Sequence, residues 1–189
     1  DNDGDGIPDK ADKCPNKAED KDNFQDEDGC PEPDNDKDGF LDAVDKCPNE
    51  PETPNSFKDK DGCPDVMPKH IAALFSGPAK GVTFKRGKLA KTAAATFDKL
   101  LELMLEHDDV KIEVHVHADG RGNADKHMAA SKERGAAITA YFNEAGIDPS
   151  RLIILPHGAE QPLSAGQSRK AKEANNRVEF KFFDPSKQK

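Results

Sequence analysis

The sequence has no tryptophan and only one tyrosine, and it contains no apolar run of the 18 or so residues that cross a membrane. Aromatic side chains are not interleaved with basic ones, which argues against nucleic acid as a partner. No export signal opens the chain, although residue 1 falls at the start of an acidic motif. We therefore expect that an upstream segment, carrying any export signal or membrane anchor, is missing.

Residues 1–66 lack the hydrophobic side chains that build a core. They carry 22 acidic against 8 basic residues, whereas residues 67–189 carry 15 against 20, which accounts for the net charge of −9. Burial alone therefore cannot order the first part. Its larger apolar side chains are Ile7, Phe24, Phe40, Leu41, Val44 and Phe57.

Cysteine is absent from residues 67–189, and histidine is absent from residues 1–66. The four cysteines of the acidic part form no Cys-x-x-Cys pair, which argues against a zinc site. An even number of cysteines in a segment without a core favours disulfides and an oxidising compartment.

Residues 1–33 and 34–66 form a tandem repeat with 18 identical positions. The stretch "DNDGDGIPDKAD" returns as "DNDKDGFLDAVD", with acids at positions 1, 3, 5, 9 and 12 and glycine at position 6. This spacing is that of an EF-hand calcium loop, in which alternate oxygen donors wrap one cation. Pro8 and the Cys-Pro pairs that follow each loop leave no room for the EF-hand helices.

The pattern resembles the thrombospondin type 3 repeat, "DxDxDGxxDxxDxCP", over all 66 residues. The resemblance implies a calcium-stabilised, disulfide-stapled rod of irregular structure. The 16-residue separations within each copy then pair Cys14 with Cys30 and Cys47 with Cys63, each bridge adding about 3 kcal/mol. A second ion in the first copy would use Asp20, Asp22, Asp26 and Asp28, and the matching site in the second copy is weaker because Thr53 and Asn55 replace two acids. The expected loop ligands are Asp1, Asp3, Asp5, the carbonyl of Ile7, Asp9 and Asp12, and then Asp34, Asp36, Asp38, the carbonyl of Phe40, Asp42 and Asp45.

From residue 67 the hydrophobic pattern changes to that of a packed domain. "AKTAAATFDKLLELMLEH" and "NADKHMAASKERGAAITAYFNEAG" have helical spacing, while "GVTFK", "VKIEVHVH", "SRLIILPHG" and "NNRVEFKFF" predict strands. The order predicts an α+β domain, βαβαβ, a short helix and then β, with one mixed sheet and helices packed on one face. We assign residues 1–66 to the repeats, 67–79 to a linker and 80–189 to this domain.

Six stretches occur in the order typical of one family: "VHAD", "RGNADKHM", "ASKERGAAITAYF", "GIDPSR", "GAEQP" and "NNRVEF". Over about residues 80–183 the sequence resembles the OmpA C-terminal-like domain, a non-covalent peptidoglycan-binding module. By position, the resemblance assigns Asp119 and Arg134 to the diaminopimelate of the stem peptide, with Ala118, His127 and Arg177 beside them. Diaminopimelate ends in an ammonium and a carboxylate on one carbon, so a receptor needs one acid and one base close together.

The domain departs from the family pattern at four positions. Val116 and Ala118 replace a glycine and a threonine, His127 replaces an asparagine, and Asn176 replaces the first arginine of "NRRV". These changes motivate a second hypothesis, in which the chain is a calcium-dependent adhesion or assembly module whose OmpA-like domain has lost its wall ligand.

"HVHADG" at residues 115–120 is a candidate zinc-hydrolase motif, but Gly120 stands where a further histidine is needed. His115 and His117 share a strand face, which allows only adventitious metal binding, and His157 shows no ligand spacing. No serine lies in a nucleophile-elbow pattern. We therefore predict no enzyme, but a peptidoglycan-binding protein of the Gram-negative periplasm with calcium as its cofactor, tethered to the outer membrane by the missing segment.

Overall fold

The computed structural model describes residues 1–55, 57–85, 87–119, 122–166 and 168–183. The chain divides into two compact units, Asp1–Val66 and Met67–Lys189. Among the described residues, no helix has the length and apolar character needed to cross a bilayer.

The first unit consists of turns and bends, with neither helix nor strand among its described residues. Phe57 is the one buried hydrophobic side chain in the described part of this unit, while Leu41 and Val44 are exposed. The two predicted disulfides, Cys14–Cys30 and Cys47–Cys63, are formed. Covalent cross-links and polar contacts, rather than a core, therefore shape the repeats.

Aspartate side chains organise the backbone of both repeats in the same way. The carboxylate of Asp5 accepts a hydrogen bond from the backbone N–H of Ile7 at 2.7 Å, and Asp38 accepts one from Phe40 at 2.7 Å. Such bonds, made two residues ahead, form tight turns without regular structure. They explain why an acid-rich sequence forms a compact unit with so little apolar surface to bury.

The second unit contains a three-stranded mixed sheet, whose strands lie in the order β4 (Leu152–Gly158), β3 (Ile112–His117) and β5 (Val178–Phe182). The central strand β3 runs parallel to β4 and antiparallel to β5, and a β-bulge interrupts its pairing with β4. The elements, in chain order, are α1 (Lys69–Ala72), β1 (Phe84–Lys85), β2 (Lys88–Leu89), α2 (Ala94–Glu106), β3 (Ile112–His117), α3 (Ala124–Glu144), β4 (Leu152–Gly158), α4 (Arg169–Asn175) and β5 (Val178–Phe182).

The core lies on one face of this sheet. Ile112, Val114 and Val116 alternate along β3 and are fully buried, as are Phe97 and Leu100 of α2. Helix α3 packs on β3 and β4 through Gly135, where an added Cβ would lie 2.3 Å from the Cγ2 methyl of Ile154. The predicted α+β class, with helices packed on a mixed sheet, is confirmed.

The first predicted strand lies elsewhere than expected. Phe84–Lys85 pairs with Lys88–Leu89 in a separate two-stranded sheet rather than joining the main one. Gly87, with a φ of +76°, lies in the connecting turn. A short apolar pattern predicts an extended segment, but not the strand with which that segment pairs.

Helix α3 begins and ends where its sequence signals lie. The side chain of Asn123 accepts hydrogen bonds from the backbone N–H groups of Asp125 and Lys126, which caps the first turn. Gly146, with a φ of +91°, follows the last turn. These ends fix the register that carries Arg134 to the carboxyl end of β3.

Candidate functional site

Asp119 and Arg134 meet at the carboxyl end of β3. Asp119 lies two residues beyond the strand, and Arg134 lies on the third turn of α3. Nη1 of Arg134 donates hydrogen bonds to the carbonyl oxygen of His117 at 3.1 Å and to Oδ1 of Asn176 at 2.9 Å. The guanidinium is thereby held against the sheet end.

The amide of Asn176 joins the acid and the base. Its Oδ1 also accepts a hydrogen bond from the backbone N–H of Asp119 at 3.2 Å, and its Nδ2 lies 3.5 Å from Oδ2 of Asp119. One side chain therefore contacts both Arg134 and Asp119. The amide therefore links the two charged groups at the same end of the sheet.

Burial and aromatic contact shape the electrostatics of Arg134. Desolvation lowers the pKa of Arg134 from its usual value, while the nearby carboxylates of Asp119 and Glu133 act in the opposite direction. Its guanidinium carbon lies 5.3 Å from the ring centroid of Phe84. An arginine stays protonated at neutral pH, so this end of the sheet carries a cation beside the side chain of Asp119.

Two other predicted ligand residues, Ala118 and Arg177, already form hydrogen bonds within the fold. The backbone N–H of Ala118 donates to the carbonyl of Gly158 at 2.6 Å, so sheet pairing already uses it. The buried guanidinium of Arg177 is bound to Glu179 and to the carbonyl of Gln161. Arg177 is thus committed to contacts within the fold.

His127 lies on α3, seven residues before Arg134, and lines a cleft of about 190 Å³ at the end of β4. This spacing of two helical turns places both residues on one side of the helix. The cleft is also lined by Met128, His157, Gly158 and Glu160.

Acidic clusters are the main feature of the first unit. Five groups of three carboxylates have oxygen atoms within 4.8 Å of one another among the described residues. Two groups, one per repeat, coincide with the first three acids of the predicted calcium loops. The five groups are Asp1, Asp3 and Asp5; Glu19, Asp20 and Glu32; Asp20, Asp22 and Asp42; Asp34, Asp36 and Asp38; and Glu52, Asp61 and Asp65.

Many buried oxygens in these clusters have no hydrogen-bond donor. They are acceptors, and a carboxylate oxygen without a donor is stabilised well by a cation. Burial also raises the pKa values of Glu19, Glu32, Asp36 and Glu52. Within the five groups, the unsatisfied oxygens belong to Asp3, Glu19, Glu32, Asp36, Asp42, Glu52 and Asp65, and outside them others belong to Asp12, Asn35 and Asp45.

The remaining predicted calcium ligands have other contacts. Asp9 accepts a hydrogen bond from the backbone N–H of Asn2 at 2.9 Å, and Asp28 forms an ion pair with Lys13 at 2.8 Å. Asp26 accepts one from the backbone N–H of Asn23 at 3.0 Å. Asp26 and Asp28 lie outside the carboxylate groups of the described residues, whereas Glu19 and Glu32 form one of these groups with Asp20.

Sequence reasoning missed several members of these clusters. Glu19 and Glu52 occupy equivalent positions in the two copies. A glutamate repeated at the same position could have indicated a ligand. Asp42 joins acids of the preceding copy, a contact that only folding reveals. The same is true of Asn176, which lies 57 residues from Asp119 in the chain.

Comparison with known proteins agrees with both parts of this description. The sequence matches the OmpA family over residues 83–177 and the thrombospondin type 3 repeat over residues 1–22 and 19–55. It is 32% identical over 65 residues to the peptidoglycan-associated lipoprotein of Pseudomonas aeruginosa, covering 34% of this chain and 39% of that protein. The corresponding lipoprotein of Pseudomonas putida is 29% identical, with the same coverage.

The fold is also similar to that of a solved structure. The crystal structure of the peptidoglycan-associated lipoprotein from Burkholderia pseudomallei has a TM-score of 0.50 and 18% identity, covering 54% of this chain and 88% of that one. At this identity the likeness concerns the fold alone. The chain spans about two fifths of the length of the Pseudomonas relatives that it matches.

Proposed function

The chain belongs to the OmpA family, and from this premise we propose that its second unit binds peptidoglycan and tethers the outer membrane to the cell wall. The names of the Pseudomonas relatives, peptidoglycan-associated lipoproteins, support this assignment. The protein is a binding protein, not an enzyme. The match covers only part of each relative. The identity of the ligand is therefore inferred from the chemistry of the site residues themselves.

The proposed ligand group is the diaminopimelate of the stem peptide. The observation that carries this proposal is the single amide of Asn176 that contacts both Arg134 and Asp119. The guanidinium can bind the ligand carboxylate through two parallel N–H donors, and the carboxylate of Asp119 can accept from the ammonium. The pocket is therefore complementary to a small zwitterion.

The neutral side chain at residue 176 matters for this complementarity. An arginine there, as in the family pattern "NRRV", would give the pocket a second positive charge. With Asn176 the charges of Asp119 and Arg134 balance, and a ligand group without net charge is favoured. Binding at one site is expected in the micromolar to millimolar range, about −8 to −4 kcal/mol, and many repeated stem peptides in one wall supply avidity.

Calcium is the proposed cofactor of the first unit. The match to the thrombospondin type 3 repeat, the five carboxylate groups and their unsatisfied buried oxygens support this proposal. Oxygen-only ligand sets suit a hard cation such as calcium. Bound ions would replace the missing core by offsetting carboxylate repulsion, roughly 1 kcal/mol per close pair in water.

We place the protein in the periplasm, associated with the outer membrane of a Gram-negative bacterium. The disulfides fit an oxidising compartment, and peptidoglycan lies in the same space. In this arrangement, the calcium-bound repeats act as a spacer before the wall-binding domain.

Co-sedimentation with purified sacculi tests the wall-binding proposal. In calcium-containing buffer, the full chain should sediment, whereas Asp119→Ala and Arg134→Ala should remain in solution. Asp125→Ala and Arg169→Ala alter an exposed acid and an exposed base of the same unit and serve as matched controls. Retention of both pocket variants at the level of the controls would reject the assignment of these residues.

A further inference from the structure

The positive charge of the second unit is concentrated in one stretch of its sequence. Residues 67–97, which we call the basic segment, contain six lysines and arginines and no aspartate or glutamate. Residues 98–189 carry 14 basic and 15 acidic side chains, so the net positive charge of the unit originates in the basic segment. A surface with this charge attracts anionic ligands.

A cleft of about 210 Å³ lies between the basic segment and helix α2. Three of the residues that line it, His70, Lys80 and Lys99, carry nitrogen donors at the end of their side chains. None of the described residues that line the cleft is acidic. The uncharged part of the lining consists of Ala73, Leu74, Pro78, Ala79 and Thr96.

Hydrogen bonds fix the backbone at the edge of the cleft. The backbone N–H of Ala79 donates to the carbonyl oxygen of Val178 in β5 at 2.7 Å. Oγ1 of Thr96 in α2 donates to the carbonyl oxygen of Lys80 at 2.6 Å. The backbone from which the side chain of Lys80 extends is therefore attached both to the sheet and to α2.

The two lysines of the cleft have no anionic partner within the fold. Neither Lys80 nor Lys99 forms an ion pair in the part of the chain that the structure describes. Asp98, the acid beside Lys99 in α2, instead accepts a hydrogen bond from the hydroxyl of Tyr141 on α3. Two like charges at one cleft repel each other, and a bound anion offsets this repulsion.

The basic segment also connects the cleft to the proposed diaminopimelate site. The ring centroid of Phe84 lies 5.3 Å from the guanidinium carbon of Arg134. Phe84 is four residues beyond Lys80, and four residues span at most about 14 Å. The cleft and the guanidinium therefore lie within the length of a short peptide.

We propose that the cleft at Lys80 and Lys99 binds a second carboxylate of the wall peptide, the α-carboxylate of its D-glutamate. This inference rests on the wall-binding function proposed above. In the stem peptide, D-glutamate is joined to diaminopimelate through its side-chain carboxyl group, which leaves its α-carboxylate free. In an extended peptide this carboxylate lies about 13 Å from the far carboxylate of diaminopimelate, at three bonds per 3.6 Å. That distance matches the stretch from Lys80 to Phe84.

Calorimetric titration of the full chain in calcium tests the cleft with two muropeptides. Both contain diaminopimelate, and they differ only at the second residue, which is D-glutamate or D-isoglutamine. The wild type should bind the glutamate peptide about three- to tenfold more tightly, because attraction between exposed charges is weak. This preference should shrink in about 0.5 M salt.

The cleft variant carries Lys80→Gln together with Lys99→Gln and should bind both peptides with the affinity of the wild type for the isoglutamine peptide. Both lysines are exposed, so the fold should be retained. Lys132→Gln with Lys170→Gln removes two exposed cations outside the cleft and should keep the preference.

Three results would overturn the proposal. Equal affinities of the wild type for the two peptides would show that the α-carboxylate is not recognised. A preference that survives in the cleft variant would assign its recognition to other residues. If the wild type bound neither peptide, the wall-binding function itself would be contradicted, and the cleft proposal with it.

Sedimentation with phosphatidylglycerol vesicles separates the wall peptide from an anionic lipid surface. The wild type and the cleft variant should sediment to the same extent. Vesicle binding by the wild type that the cleft variant loses would assign the cleft to lipid phosphates and would also overturn the proposal.

Discussion

Asn176 is the residue on which the geometry of the proposed pocket depends. It contacts the guanidinium of Arg134 and the backbone of Asp119 through one oxygen. A sequence pattern identifies the acid and the base, because they lie in an ordered motif. It does not identify the amide between them, because that contact joins residues 57 positions apart.

Replacing Asn176 with leucine should weaken binding of a diaminopimelate-containing muropeptide about tenfold, since a hydrogen bond to a charged group contributes roughly 1.5 kcal/mol or more. The measurement is a calorimetric titration of the folded variant. Asn143→Leu, at an exposed position of α3, should bind like the wild type. Undiminished binding by Asn176→Leu would show that the amide does not position the pocket.

The lowered pKa of His117 is expected to make the free energy of unfolding depend on pH. Burial lowers this pKa to about 4 in the folded protein, from near 6.5 when unfolded. Between these values the unfolded chain binds more protons, so stability is complete above about pH 6.5 and falls as the pH drops towards 4. The slope is at most about 1.4 kcal/mol per pH unit.

Denaturant unfolding at several pH values checks this slope, in buffer with calcium. His117→Phe keeps a ring that can stack on that of His157 but cannot titrate, so its unfolding free energy should change less between pH 6.5 and 4 than that of the wild type. The rest of the chain titrates in both proteins and cancels in the difference. Parallel pH profiles would contradict the assignment of this effect to His117.

At the scale of elements, helix α3 and strand β3 could be predicted because their hydrophobic periodicities extend over many residues. The first strand could be predicted as extended, but its partner could not, because pairing is decided by tertiary contacts. The bulge of β4 that brings the ring of His157 beside those of His115 and His117 left no signal in the pattern of "SRLIILPHG". For that reason the stacking of these three rings, unlike the fold class, required the structure.

Gly135 tests the packing of α3 on β4. Helix propensity alone predicts that Gly135→Ala stabilises the protein by about 1 kcal/mol. The added Cβ would lie 2.3 Å from Ile154, and overpacking of this kind costs about 1–3 kcal/mol. The steric effect is expected to prevail, so the free energy of unfolding should fall.

Chemical denaturation of Gly135→Ala provides the measurement. Ala136→Gly, at the exposed neighbouring position, isolates the propensity contribution and should destabilise by about 1 kcal/mol. A Gly135→Ala variant more stable than the wild type would mean that α3 and β4 do not pack closely there.

The whole molecule combines two units that are stabilised in different ways. Residues 67–189 have a hydrophobic core, whereas the described part of residues 1–66 buries one hydrophobic side chain and four acidic ones. Removing calcium with a chelator should therefore abolish hydrogen-exchange protection in the first unit and leave that of β3 and α3 unchanged. Persistent protection of residues 1–66 without calcium would contradict an ion-stabilised repeat.

Variants within the repeats give a finer test of the same proposal. Asp3→Asn and Asp36→Asn should each reduce the affinity or number of bound calcium ions in equilibrium dialysis, because each acid lies in a carboxylate group. Glu27→Gln, at an exposed acid outside those groups, is the matched control. Equal calcium binding by all three variants would contradict the proposal that the carboxylate groups bind calcium.

The most direct measurement compares two stem peptides that differ only at the third residue, diaminopimelate or lysine, by calorimetric titration of the full chain in calcium. The lysine peptide lacks the carboxylate that Arg134 is proposed to bind. The wild type should therefore prefer the diaminopimelate peptide about ten- to a hundred-fold, and Arg134→Gln should lose this preference. Equal affinities in the wild type, or a preference that survives in Arg134→Gln, would contradict recognition of the zwitterion by Asp119 and Arg134.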